Sequence, residues 1–197
     1  MVLALALAEL LARGGERVGV LGGLPFTGRA AARRVAEVLM DETSEESLPP
    51  NAKLSRFSEC LLFSDFLEPV DVTAERLETI AGQGVRGHLI EVLDPAEETL
   101  PYAGRTEFAA SEGRDRVIAG RAESLREQYQ ERLKRHRRDL VELTRRLGWS
   151  FLVHHTDRPP EEAVLVVHNR LAGLERDYRY RPPRPEPVGE IEAGRQP

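Results

Sequence analysis

The chain has 197 residues, a net charge of −5, 41% hydrophobic and 31% charged residues, which fits one ordinary folded domain or two very small ones and excludes a disordered chain. The acidic balance argues against a globally basic nucleic-acid binder. Cys60 is the single cysteine, which excludes an internal disulfide framework and a multi-cysteine zinc site and fits a reducing, cytoplasmic setting.

Met1 to Ala12 is apolar but too short to span a bilayer; Glu9 interrupts it, and no basic residue precedes it as in a signal peptide. It reads as a buried helix that starts without a Ser, Thr, Asp or Asn cap, as a chain beginning inside a domain would. After Gly14-Gly15 the run Arg17–Leu21 reads as a buried strand, and a second helix follows Gly28 to about Met40. Asp41 to Lys53 is acidic, then proline-rich, and reads as a surface loop.

Glu59–Phe63 is a second strand, ended by Ser64-Asp65. A helix starts at Val72-Thr73 and closes at Gly82 or Gly84, and Gly87–Leu93 is the next strand. Thr106–Phe108 and Arg116–Ile118 make a small hairpin around Glu112-Gly113. A long helix runs from Glu123 to Leu147, with Leu125, Tyr129, Leu133, Leu140, Leu143 and Leu147 close to helical spacing. Trp149–His154 is the last strand, and Pro159-Pro160 opens a helix through about Ala172. Strand alternating with helix predicts an α/β fold with a mostly parallel sheet covered on both faces. The domain spans 1–172, and 173–197 is a flexible, Pro- and Arg-rich tail without apolar periodicity.

Candidate sites are few. Gly23 to Gly28 sits where a phosphate loop would, but Arg29 and Ala30 stand where its Lys and Ser or Thr belong. Asp65 lies at the carboxyl end of a buried strand, where open α/β sheets bind ligands, and Thr27 ends the loop after an earlier strand. A carboxylate and a hydroxyl are hard ligands for magnesium; capping a turn and a helix is the plainer role for both. The basic run Arg132–Arg138 is interleaved with Glu127, Glu131, Asp139 and Glu142, and reads as a solvated helix face. His154, His155 and Asp157 look like half a metal site, with Asp157 better placed to cap the last helix. Cys60 is expected to be a small apolar core residue.

Three runs carry a family resemblance: Gly15–Leu21, Leu61–Leu67 and Gly87–Pro95, the last continuing through Glu97–Tyr102 and Gly104–Phe108. With Tyr129–His136 and Thr156–Pro159 they resemble the bacterial domain-of-unknown-function family fifty-eight, a von Willebrand factor A-like family. The resemblance covers Val2 to Leu171, and His88 to Glu97 is its most specific part.

The resemblance implies a three-layer α/β/α fold with a metal-ion-dependent adhesion site at the sheet's top edge. Asp65 falls where its third-loop Asp belongs, and Thr27 where its second-loop Thr belongs. The Asp-x-Ser-x-Ser segment of such sites is missing before helix one. We therefore expect the central metal-site strand to be encoded upstream or supplied by another chain. As it stands, the chain is expected to hold no cofactor, with Mg2+ bound only in a longer form. Residues 1–197 alone are expected to be oligomeric, aggregation-prone or loosely folded, through open sheet edges.

The function implied is a non-enzymatic protein-interaction domain, an adaptor or chaperone-associated partner of a MoxR-type AAA+ ATPase. No nucleic acid and no membrane span are expected. The alternative is a metal-assisted phosphohydrolase using Asp65, for which the sequence offers no neighbouring general base.

Overall fold

The apolar runs ending at Ser64, Leu93 and His155 become the strands of one sheet. A computed structural model describes residues 1–41, 48–109, 116–121 and 123–173. In chain order these form α1 (Val2–Arg13), α2 (Ala31–Asp41), β1 (Glu59–Ser64), α3 (Val70–Ala81), β2 (Arg86–Leu93) and α4 (Pro95–Thr99). They continue as β3 (Thr106–Ala109), β4 (Arg116–Ala119), α5 (Glu123–Leu147), β5 (Ser150–His155) and α6 (Pro160–Leu171). The sheet order is β1-β2-β5, all parallel, with Leu61 opposite His88 and His88 opposite Ser150. The expected hairpin forms as the antiparallel pair β3-β4. Its turn at Glu112-Gly113 and the tail from 174 onward lie outside the described residues.

Alternation of side chains along the middle strand divides the interior in two. Leu89 joins Cys60, Leu77, Ile80, Leu140, Leu143 and Trp149 under α3 and α5. Ile90 joins Leu3, Leu7, Leu152, Ala163 and Val167 under α1 and α6. Helices thus cover both faces of an open parallel sheet, which is why β2 is buried almost throughout. Leu3 and Leu7 on α1 are buried, so its apolar stripe does face the core. Among the described residues no helix is long and apolar enough to cross a membrane.

One expected strand is absent: Arg17–Leu21 does not enter the sheet. The segment turns back on itself through Gly22 and Gly23, with Gly22 at φ 86°. Its only pairing among the described residues is the isolated bridge of Val18 with Phe26, closed by Val18 N to Phe26 O at 3.0 Å and Phe26 N to Val18 O at 2.6 Å. Five residues with two β-branched side chains match a strand pattern, but glycines on both sides let local closure win over sheet pairing.

Gly87 shows how closely the turn after α5 packs on β2. The indole of Trp149 lies against it, its Nε1 donating to Val85 O at 3.2 Å. A Cβ at 87 would sit 2.0 Å from Trp149 Cε3. Gly87→Ala is therefore expected to lower stability by ~1–3 kcal/mol or more through overpacking. Urea denaturation followed by the fluorescence of the single tryptophan reads this directly.

Candidate functional site

Parallel strands bring their carboxyl ends to one edge of a sheet, and here that edge gathers Asp65, Asp94, His155 and Thr156. Beneath it lies Glu91, in the middle strand and 0% exposed. Arg137 on α5 reaches it, Nε donating to Glu91 Oε2 at 2.7 Å. The same guanidinium donates through Nη1 to Glu98 on α4. Glu98 Oε2 in turn meets His155 Nε2 at 2.6 Å. One arginine therefore joins β2, α4 and α5, and Glu98 carries the link to β5. Glu91 Oε1 has no hydrogen-bond partner among the described residues. Burial raises the Glu91 carboxyl above its usual range, with Arg137 opposing that shift.

Short local bonds shape the rim. Asp94 caps α4 by accepting from Ala96 N at 2.7 Å, and Glu97 closes a capping box by accepting from Asp94 N at 3.2 Å. Thr156 Oγ1 donates to the other Asp94 oxygen at 3.3 Å. The Asp94-Pro95-Ala96-Glu97 run, within the part of the sequence that most specifically carries the resemblance, is thus a helix start with Pro at the first position. The strap after α4 is fastened to α5: Arg126 donates to Leu100 O at 2.8 Å, and Gln130 to Thr99 O at 3.2 Å.

Asp65 is exposed at the end of β1. Its Oδ1 accepts from Leu67 N at 3.3 Å and from Ser64 Oγ at 3.3 Å, so it orders the turn leaving the strand. Thr27 is exposed just past the Val18–Phe26 bridge. A carboxylate and a hydroxyl alone are too few donors to hold magnesium against its hydration. Among the described residues no group of three or more His, Cys, Asp or Glu is placed to hold a metal. The described residues do not by themselves make up a metal centre.

The other candidates from the sequence resolve differently. His155 is held by Glu98, while His154 is buried one residue earlier. Asp157 caps nothing on α6, whose first cap is Pro159 without a side-chain bond. Burial pushes the Cys60 thiol up to about 11, in keeping with an inert core residue. The basic run Arg132–Arg138 is only partly a solvated face. Lys134 pairs with Glu131 at the surface, His136 Nε2 meets Phe66 O at 2.6 Å, and Arg137 turns inward with 12% exposure.

Two features of the sequence signal this network. Glu91 interrupts Leu89–Leu93, where a buried carboxylate demands a cation. Arg137 lies in phase with Leu133, Leu140 and Thr144, all buried on α5.

A second polar row crosses the opposite, amino-terminal end of the sheet. Glu59 Oε2 lies 3.2 Å from His88 Nε2, and Ser150 Oγ lies 2.7 Å from His88 Nδ1. The carboxylate fixes the proton on Nε2, so Nδ1 accepts from the serine hydroxyl. Arg170 of α6 donates to Ser150 Oγ at 3.0 Å. Ligands of α/β sheets bind at the other end, and this row ties three strands and α6 together.

Among known families, the one described as "Protein of unknown function DUF58" matches residues 1–139. No curated protein matches the chain, and no solved structure does.

Removing the guanidinium would leave Glu91 and Glu98 with like charges at a buried site. Arg137→Met is expected to cost about 3–5 kcal/mol in thermal or urea unfolding.

Stability should also depend on pH through the buried groups, in two opposing senses. Burial lowers His88 below its ordinary 6.5, with Arg170 and Arg86 adding and Glu59 opposing. Burial, then His155, lowers His154 below 6.5 as well. The unfolded chain therefore takes up protons first as pH falls below 6.5, and the stabilising contribution of these two histidines is lost through their folded values. Glu91, raised above 4.5, contributes in the opposite sense, favouring the fold on the acid side. Urea midpoints across pH should show a flatter acid loss in His88→Asn and a steeper one in Glu91→Gln.

Proposed function

The chain belongs to the DUF58 family, and on that footing we propose that it is a non-enzymatic, cytoplasmic protein-interaction domain. In this proposal its arrangement is von Willebrand factor A-like, with three layers, and it serves as an adaptor or chaperone-associated partner of a MoxR-type AAA+ ATPase. One observation carries the proposal. At the carboxyl edge of the sheet, the groups that acid–base chemistry would need are committed to structure. Glu91, Glu98 and His155 are joined through Arg137 and Glu98. What the edge offers outward is an exposed carboxylate, Asp65, on a turn fixed by its own hydrogen bonds, with Leu67 exposed beside it. A fixed charge next to an apolar side chain suits recognition of a partner better than turnover of a substrate. Metal dependence is proposed only for a form in which further donors join Asp65 and Thr27.

Interferometry with the immobilised chain and a purified MoxR-type ATPase tests this. We expect saturable binding that Asp65→Ala weakens about tenfold, or 1.4 kcal/mol. Absence of binding would overturn the assignment of partner. Magnesium-dependent hydrolysis of p-nitrophenyl phosphate, lost in Asp65→Ala, would overturn the non-enzymatic reading in favour of a phosphohydrolase.

A further inference from the structure

Among the described residues, Phe57, Phe66 and Leu100 take a positive φ without being glycine, at 69°, 50° and 45°. A bulky side chain adopts that left-handed conformation only where its surroundings hold it there. For Leu100 the reason is ordinary: it caps the C-terminus of α4, where helices commonly end left-handed. Phe66 caps no helix. It stands between β1 and α3, in the turn that carries Asp65 and Leu67.

Three contacts hold Phe66 in place. Its side chain is buried in the cluster of Cys60, Leu77, Leu89 and Leu140. Its N–H donates to Ser64 Oγ at 3.2 Å. Its carbonyl oxygen lies 2.6 Å from Nε2 of His136, a half-buried residue of α5. A carbonyl oxygen can only accept, so Nε2 carries the proton and donates. The buried ring fixes where residue 66 sits, and the histidine fixes which way its carbonyl turns. That carbonyl shares one trans, planar peptide unit with the N–H of Leu67, so the two point opposite ways. With the oxygen turned toward His136, the N–H is turned away from it, and it donates to Asp65 Oδ1 at 3.3 Å.

We propose that His136 is a positioning residue for Asp65: through this one peptide plane it sets the exposed carboxylate, with Leu67 beside it, in a fixed arrangement. The next residue of the helix, Arg137, holds Glu91 and Glu98. Two consecutive side chains of α5 thus register the Asp65 turn against β2 and α4. A partner then meets a carboxylate whose backbone is already ordered, which spares the entropy of ordering it on binding. The role in recognition rests on the proposal that Asp65 and Leu67 are what the partner meets; the hold on the turn does not.

NMR of the full chain, with no partner present, tests the hold on the turn. The ring-nitrogen shifts of His136 should show the proton on Nε2, and a bare Nε2 overturns the proposal. A strong cross-peak between the amide and Hα protons of Phe66, the mark of a positive φ, should be present in the unaltered chain. It should persist in His136→Gln, whose amide keeps a donor at similar reach. His136→Leu keeps bulk without a donor and should lose the cross-peak, while the amide shifts of Leu89 and Ile90 stay in place. A left-handed Phe66 in His136→Leu overturns the proposal, and so does a glutamine variant that behaves as the leucine variant does. Interferometry with the ATPase then reads the consequence: affinity should fall about tenfold in His136→Leu and hold in His136→Gln. Equal affinity of the two variants overturns the positioning role. Absence of binding by the unaltered chain removes the partner assigned above, and the ring and turn measurements then decide the role of His136 by themselves.

Discussion

A carboxylate in the middle of a parallel sheet must be met by a cation, and that demand organises this fold. Glu91 sits in β2 with both faces of its strand covered. Arg137 supplies the compensating charge from α5. To reach it, α5 must lie across the sheet in one rotational setting, with Leu133, Leu140 and Leu143 inward. The same guanidinium takes Glu98 and so seats α4 over the strand ends, and Glu98 reaches His155. Such buried pairs add little net stability over an apolar core; what they add here is a single allowed arrangement of four elements.

The consequence for function is a division between the two ends and the two edges of the sheet. At the carboxyl end the ionisable groups are bound into the fold, and Asp65 is the carboxylate left exposed at the end of β1. At the amino end Glu59, His88, Ser150 and Arg170 form a continuous set of hydrogen bonds that reads as fastening. Arg170 lies on the β5 edge, and among the described residues β1 pairs only with β2.

Much of this is legible in the sequence. The strands ending at Ser64, Leu93 and His155 are short apolar runs bounded by polar or glycine residues, and the helices carry their own periodic stripes, so local composition suffices to place them. The short helix α4 is harder to see because five residues are too few to show a period, although Asp94-Pro95-Ala96-Glu97 spells its start. Arg17–Leu21 misleads because a strand is completed only by a neighbour. A run of that length carries no record of whether a partner strand lies beside it.

The α/β class, the parallel strands, the helical stripes and the position of Asp65 at a strand end follow from residues close together in the chain. That Arg137 turns inward to Glu91 and Glu98, and that His88 lines up with Glu59 and Ser150, is visible only in the folded chain. Only it showed that Arg170 lies along the outer edge of β5. Those pairs are separated by tens of residues, and electrostatic matching and edge pairing depend on distance in space, which chain order does not encode.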